Sequence, residues 1–165
     1  MQVIYNFATL NLTEPELVGI ANVSLPDITH KKETIEGLGV IKHSIPIPTN
    51  FDEMSLKIKF INRYDGISLG KNNINLTITA AITGVDTDTH EYADQKAVYS
   101  IKGKITKTSG GELGKGVKNE TELEIDLTYF KEEINGKIIY EIDVYNKKVI
   151  VDGIDYYGRL NGLLA

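Results

Sequence analysis

Two Asx-Gly dipeptides, Asn135-Gly136 and Asp152-Gly153, constrain the fold of this chain more than any other feature. Asn, Asp and Gly tolerate the positive φ that both central positions of a type I′ turn require, and such turns join antiparallel strands through two residues. A two-residue turn at Asn135-Gly136 sets Leu127 opposite Val144 and Tyr129 opposite Ile142. Leu123, Ile125, Leu127 and Tyr129 then share one face with Ile138, Tyr140, Ile142 and Val144. Glu122, Glu124, Asp126 and Thr128 share the other with Glu141 and Asp143. The second turn pairs Val151 with Ile154, Val149 with Tyr156, and Ile150 with Asp155. Between the hairpins the apolar residues change from even to odd positions, so a bulge or sheet corner is expected near Asn146-Lys147-Lys148.

The rest of the chain reads as strands with polar or Gly-rich connections. Residues 1–16 form an expected N-terminal arm and loop, with a short β-prone run at Val3 to Phe7. Leu17 to Leu25 and Ile28 to Ile35 are extended pieces divided at Pro26-Asp27. Residues 38–52 carry Ile41, Ile45, Ile47 and Phe51 among two prolines and read as an extended, exposed loop, because proline cannot donate to a central ladder. Met54 to Ile61, Ile74 to Val85 and Ala97 to Thr106 alternate in polarity, as half-buried strands do. Arg63 to Gly70 is the one place for a short helix. If the Ala97 to Thr106 strand pairs with the Glu122 to Tyr129 strand, its lysine face lies beside Glu122, Glu124 and Asp126. The fold class is all-β, a sandwich or barrel-like single domain over residues 1–165 with at most one short helix.

Composition excludes several functions. The chain of 165 residues has no cysteine, hence no disulfide and no thiolate metal site. Its net charge of −5 argues against a protein that tracks phosphates. No segment approaches the ~18 apolar residues of a membrane span, so no membrane insertion is expected. The start, MQVIYNFATLNL, lacks the basic and apolar regions of a secretory leader, and folding in a cytoplasm is expected. Four Asn-x-Ser/Thr triplets match what chance gives in a chain rich in those residues.

Nor do the reactive side chains assemble by spacing. Gly110 to Gly116 is Gly-rich, but three residues separate Gly110 from Gly114 and Lys115 is followed by Gly116, so it is not a P-loop. Gly37 and Gly39 lack the third glycine of a dinucleotide fingerprint. His30, His43 and His90 are scattered over loops without metal-ligand spacing. Glu141 and Asp143 share an exposed strand face, where solvated charge is the ordinary reading. The expectation is no enzyme, with no catalytic, cofactor-binding or metal site. What does need explaining is the surplus of strand edge and apolar loop, which an oligomer closes by pairing between subunits.

Three segments carry a family resemblance: MQVIYNF, SLPDITHKKETIEGLGVIKHSIPIPTNFDEMSLKIKF and INGKIIYEIDVYNKKVIVDGIDYYGRL. Together they resemble the major tail tube proteins of contractile-tailed bacteriophages and R-type tailocins, most specifically at Leu25-Pro26-Asp27-Ile28-Thr29 and the DGIDY turn. The resemblance implies a subunit that forms hexameric rings stacked into a hollow tube, located in a virion tail or tailocin particle and assembled in the bacterial cytoplasm. It implies sheath, baseplate and tape-measure proteins as partners, with DNA only as passing cargo. Under this reading Val3, Ile4, Phe7, Leu38, Ile41, Ile45, Ile47 and Phe51 are the expected assembly interface. Glu122, Glu124 and Asp126 are a candidate lumen face. The alternative is a monomeric carbohydrate-binding or adhesion-type sandwich using some of the nine tyrosines.

Overall fold

The computed structural model of the chain describes residues 2–12, 17–60, 74–117 and 120–165. The strands are β1 (Gln2–Leu12), β2 (Leu17–Ser24), β3 (His30–Gly37), β4 (Val40–Phe51), β5 (Ser55–Phe60), β6 (Ile74–Val85), β7 (Tyr92–Ser109), β8 (Thr121–Ile134), β9 (Lys137–Asp143), β10 (Lys148–Val151) and β11 (Ile154–Asp155). One helix follows, α1 (Tyr156–Leu164). The expected all-β class is therefore observed. The helix sits at the C-terminus, whereas the expected helical site, Arg63 to Gly70, lies outside the described residues.

Alternation explains the core. Leu56 and Ile58 of β5, Leu76, Ile78, Ala80 and Ile82 of β6, Tyr99, Ile101 and Ile105 of β7, and Leu123, Ile125 and Leu127 of β8 are all buried. The pairings run from β5 through β2, β1, β6 and β7 to β8, which also pairs with β5. The series is uneven: three residue pairs link β1 to β2 and four link β2 to β5, against twelve between β6 and β7. It surrounds one core without being a uniformly paired barrel.

β8 is the strand on which this arrangement turns. Along one edge it follows β7 for its whole length. Along the other, Thr121 to Asp126 pair with β5 and Tyr129 to Ile134 pair with β9. The change of partner coincides with a bulge: Gly103 pairs with Leu127 and Lys102 with Tyr129, leaving Thr128 as the extra residue. An extra residue exchanges the two faces. Buried positions accordingly pass from Leu123, Ile125 and Leu127 to Phe130, which stacks on Tyr99 with centroids 6.3 Å apart.

Both Asx-Gly turns form as expected, with positive φ at Asn135, Gly136, Asp152 and Gly153. The register beyond the first turn does not hold. Glu133 pairs with Ile138 but Glu132 with Tyr140, so Ile139 is an extra residue in β9. Tyr129 therefore faces Asp143 and Phe130 faces Ile142. Tyr129 leaves the core face, and Val144 is not in a strand at all. The expected bulge near Asn146 is a full chain reversal, Val144 to Lys147, that folds β10 back on β9 with Val149 opposite Ile142. Asp143 builds this turn: its Oδ1 accepts from the Tyr145 and Asn146 backbone N–H groups, and its Oδ2 accepts from Asn146 Nδ2 at 2.7 Å. Lys147 takes the left-handed conformation, φ 51°. At the second turn Val151 faces Ile154 and Ile150 faces Asp155 as expected, but Tyr156 begins the helix rather than facing Val149. Asp155 caps that helix by accepting from the Gly158 N–H at 3.0 Å.

Gly103 makes the β8 bulge possible, because a Cβ there would stand 2.1 Å from the Asp126 carbonyl oxygen. Backbone cannot yield cheaply, so Gly103→Ala is expected to cost at least about 1–3 kcal/mol, the usual penalty of overpacking. Urea unfolding would register this as a lowered midpoint at unchanged slope. An unchanged midpoint would refute the close contact.

Candidate assembly surfaces

The residues expected at the assembly interface fall on two elements of different character. Val3, Ile4 and Phe7 lie on β1, paired with Gly84, Thr83 and Ala81 of β6, so this segment is a member of the main sheet and not a free arm. Among the described residues β2 pairs with β1 only at Thr9 to Asn11, which leaves the facing edge of residues 2–8 unpaired.

Residues 38–52, expected as a loop, instead supply β4, which forms a separate two-stranded sheet with β3. The reversal needs only Leu38 and Gly39, because Gly39 adopts φ 79°, which side chains disfavour. Proline is tolerated in β4 because, among the described residues, the sheet has no further strand: Pro46 pairs with Lys32 at an irregular place in the ladder. Apolar side chains stud this hairpin without cover. Leu38 is fully exposed, Ile41 is 89% exposed, and Ile35, Val40 and Ile45 are exposed as well. Ile47 and Phe51, by contrast, are half-buried at the base.

Several contacts fix that base. His30 packs on Phe51 with ring centroids 4.5 Å apart, and its Nδ1 lies 3.2 Å from the Ile47 carbonyl. The Asp52 N–H donates to the Thr29 carbonyl, and the Tyr157 hydroxyl of α1 donates to the Thr49 carbonyl at 3.3 Å. The expected interface residues thus divide: Leu38, Ile41 and Ile45 are available to a partner, whereas Ile47 and Phe51 anchor the hairpin.

The candidate lumen face is a surface of mixed charge. Glu122, Glu124 and Asp126 run along β8 with Lys59, Lys57 and Ser55 of β5 opposite on one side. Ser109, Lys107 and Lys104 of β7 stand opposite on the other. Lys59 also pairs with Glu120, and that partner raises the lysine pKa. Four carboxylates, Glu120 included, thus meet four lysines in one charge lattice. Exposed pairs of this kind are individually weak, because solvent screens them. The β7 half of the lattice was legible in the sequence; the β5 half required knowing that strands far apart in the chain are neighbours.

Beyond the bulge the same side of β8 carries a polar cluster that sequence reading missed. Glu141, only 8% exposed, accepts from the Tyr129 hydroxyl at 3.2 Å and from Lys148 Nζ at 2.9 Å. Lys102 Nζ sits 5.2 Å from the centroid of the Tyr129 ring. Burial, then the charge and hydrogen bond of Glu141, push the Tyr129 phenol up to about 12. Burial also acts to raise Asp143, but its hydrogen bonds from Asn146 and Tyr145 outweigh this and hold the carboxyl below its usual range. Among the described residues no group of three or more His, Cys, Asp or Glu side chains is placed to hold a metal ion.

A strand-rich core that projects an uncovered apolar hairpin, with lysines and carboxylates interleaved across β5, β8 and β7, fits a structural subunit that packs against other molecules. The sequence matches the family model of the phage tail tube protein FII over residues 2–161, and the chain belongs to that family of structural tube subunits. It is 29% identical over 152 residues to the tail tube protein of Escherichia phage P2, an alignment covering 83% of this chain and 82% of that protein. In fold it is similar to a chain of the sheath-tube complex of an extracellular contractile injection system in the extended state. That likeness has a TM-score of 0.50 at 11% identity and covers 77% of this chain and 88% of the other. Family membership displaces the carbohydrate-binding alternative.

The Tyr129 cluster has a pH signature. A phenol whose folded pKa exceeds its unfolded value adds stability below the unfolded pKa, near 10, and that contribution is lost as pH rises through about 12. Tyr129→Phe should therefore flatten the loss of stability between those limits and delete a tyrosinate step near pH 12 from an ultraviolet titration. Identical titrations of the two proteins would contradict the assignment.

Proposed function

We propose that this chain is the major tube subunit of a contractile tail, forming six-membered rings that stack into a hollow tube inside a sheath. The observation that carries the reading is the family match over residues 2–161, joined to a hairpin whose apolar side chains have no cover within the subunit. The work of such a protein is mechanical and needs no catalysis. Ring closure pairs the lateral edges, and stacking repeats a second, heterologous contact along the axis. The whole of residues 1–165 acts as one tube domain. Its partners are further copies of itself, the sheath outside, and the baseplate and tape-measure proteins at the ends and within the bore. The particle is a phage tail or a tailocin assembled in the bacterial cytoplasm, and DNA is cargo in the phage case.

The Glu122, Glu124 and Asp126 face suits the bore wall in this reading. A bare lysine wall would gain affinity for DNA by counterion release and hold it. Interleaved carboxylates cancel that attraction. Substituting Glu122→Gln, Glu124→Gln and Asp126→Asn together should yield tubes that retain DNA at low salt where the native tubes do not. Equal retention would move the face away from the bore.

Negative-stain microscopy and sedimentation of the purified chain test the assembly itself, with rings or hollow tubes expected. A strict monomer at every concentration overturns the proposal. Leu38→Asp with Ile41→Asp should leave the circular dichroism of the subunit unchanged, because both side chains are exposed. The same pair should abolish tube growth, since an unpaired carboxylate buried in an apolar contact costs several kcal/mol.

A further inference from the structure

The base of the β3–β4 hairpin opens onto a groove of about 420 Å³ that function as a free subunit leaves unexplained. Met54, Leu127 and Ile142 of the core form its apolar floor. Asp52, Glu53, Asp126 and Asp143 stand around it, and among the described residues no lysine, arginine or histidine lines it. Such a site fits an apolar knob accompanied by a cation. The tip of the same hairpin offers both, Leu38 and Ile41 fully or largely exposed and Lys42 between Ile41 and His43.

We propose that the groove is the receptor for the hairpin tip of another copy of this chain, Leu38 entering over the floor and Lys42 meeting Asp52 and Glu53. The inference rests on the tube reading and specifies which surfaces its axial contact joins. Within one copy the tip and the groove cannot meet, because the twelve residues of β4 separate them. At about 3.3 Å per residue that is roughly 35–40 Å. Tip and groove are different surfaces, so the contact is heterologous, the kind that a stack repeats along its axis when the rotation between copies does not close it into a ring. Lys42 is released at small cost: its pair with Glu36 is 3.7 Å long and exposed at both ends.

Absence of native cysteine makes the contact directly testable. A chain carrying Leu38→Cys and Asn50→Cys, allowed to assemble and then oxidised with diamide, can join these positions only between copies. A disulfide forms only where the Cα atoms approach to about 4.4–6.8 Å. A denaturing gel should show a covalent ladder of trimers and longer species. Leu38→Cys with Asp88→Cys, in the turn between β6 and β7, should show none. Tubes that assemble without a ladder, or equal ladders from the two chains, overturn the contact. A second pair of variants gives an independent reading: Lys42→Glu should suppress assembly and Lys42→Glu with Glu53→Lys should restore it, whereas no recovery counts against the proposal. Failure of the native chain to form any tube would instead strike the tube reading, and the ladder would still score the tip and groove in solution.

Discussion

Everything in this subunit depends on how one strand reconciles three neighbours. β8 accepts β7 along one whole edge and divides the other between β5 and β9. Two partners on one edge diverge in space, so the strand must bend, and the Thr128 bulge supplies the bend while exchanging which side chains point inward. The core therefore changes hands along a single strand, from Leu123, Ile125 and Leu127 to Phe130. The cost is concentrated where backbones crowd, which is why position 103 holds the one residue without a Cβ. Because β8 touches both the main sheet and the β9–β10–α1 end, the anchoring of the hairpin base through Tyr157 is ultimately referred back to it.

Much of this was legible in the residues, and the boundary of what was legible has a physical cause. The Asx-Gly turns and the alternation in β6 depend on local backbone preference and side-chain period, so both turns form where expected and β6 keeps its faces, although the register of the first hairpin is lost beyond Glu133. The pairing of β7 with β8 was legible because lysines and carboxylates alternate in both. The bulges at Thr128 and Ile139 were not. A bulge is set by contact between backbones from different strands, and nothing in the run from Leu123 to Tyr129 marks Thr128 as the residue that drops out. Tyr129 was assigned to the core because it continues an odd-numbered series; Phe130 took its place.

The turn at Val144 to Lys147 was half visible. The shift of apolar parity was seen correctly, but a bulge and a reversal both produce one, and the deciding feature is the side chain of Asp143 gathering the amides of Tyr145 and Asn146. Asp143 at the start of the turn and Asn146 near its end were the available signal. Helix α1 escaped for the opposite reason. Gly158 and Gly162 depress its propensity, and it forms against β4 and β10 with Asp155 as its cap. Of the candidate surfaces, the exposure of Leu38 and Ile41 could be read from composition. The groove could not, since its lining comes from the hairpin base, β8, β9, β10 and the helix.

The prolines of β4 bear on how such a subunit waits before it is used. A lone two-stranded sheet with apolar side chains is the kind of element that recruits stray strands and seeds fibrils. Pro46 and Pro48 remove two amide donors from one rail of the ladder, and Lys31, Lys32, Glu33, Glu36 and Lys42 place charge along both rails. Backbone-driven stacking is thereby discouraged, while side-chain contact at the tip remains open. The hairpin thus resists strand-on-strand aggregation while Leu38 and Ile41 at its tip stay exposed.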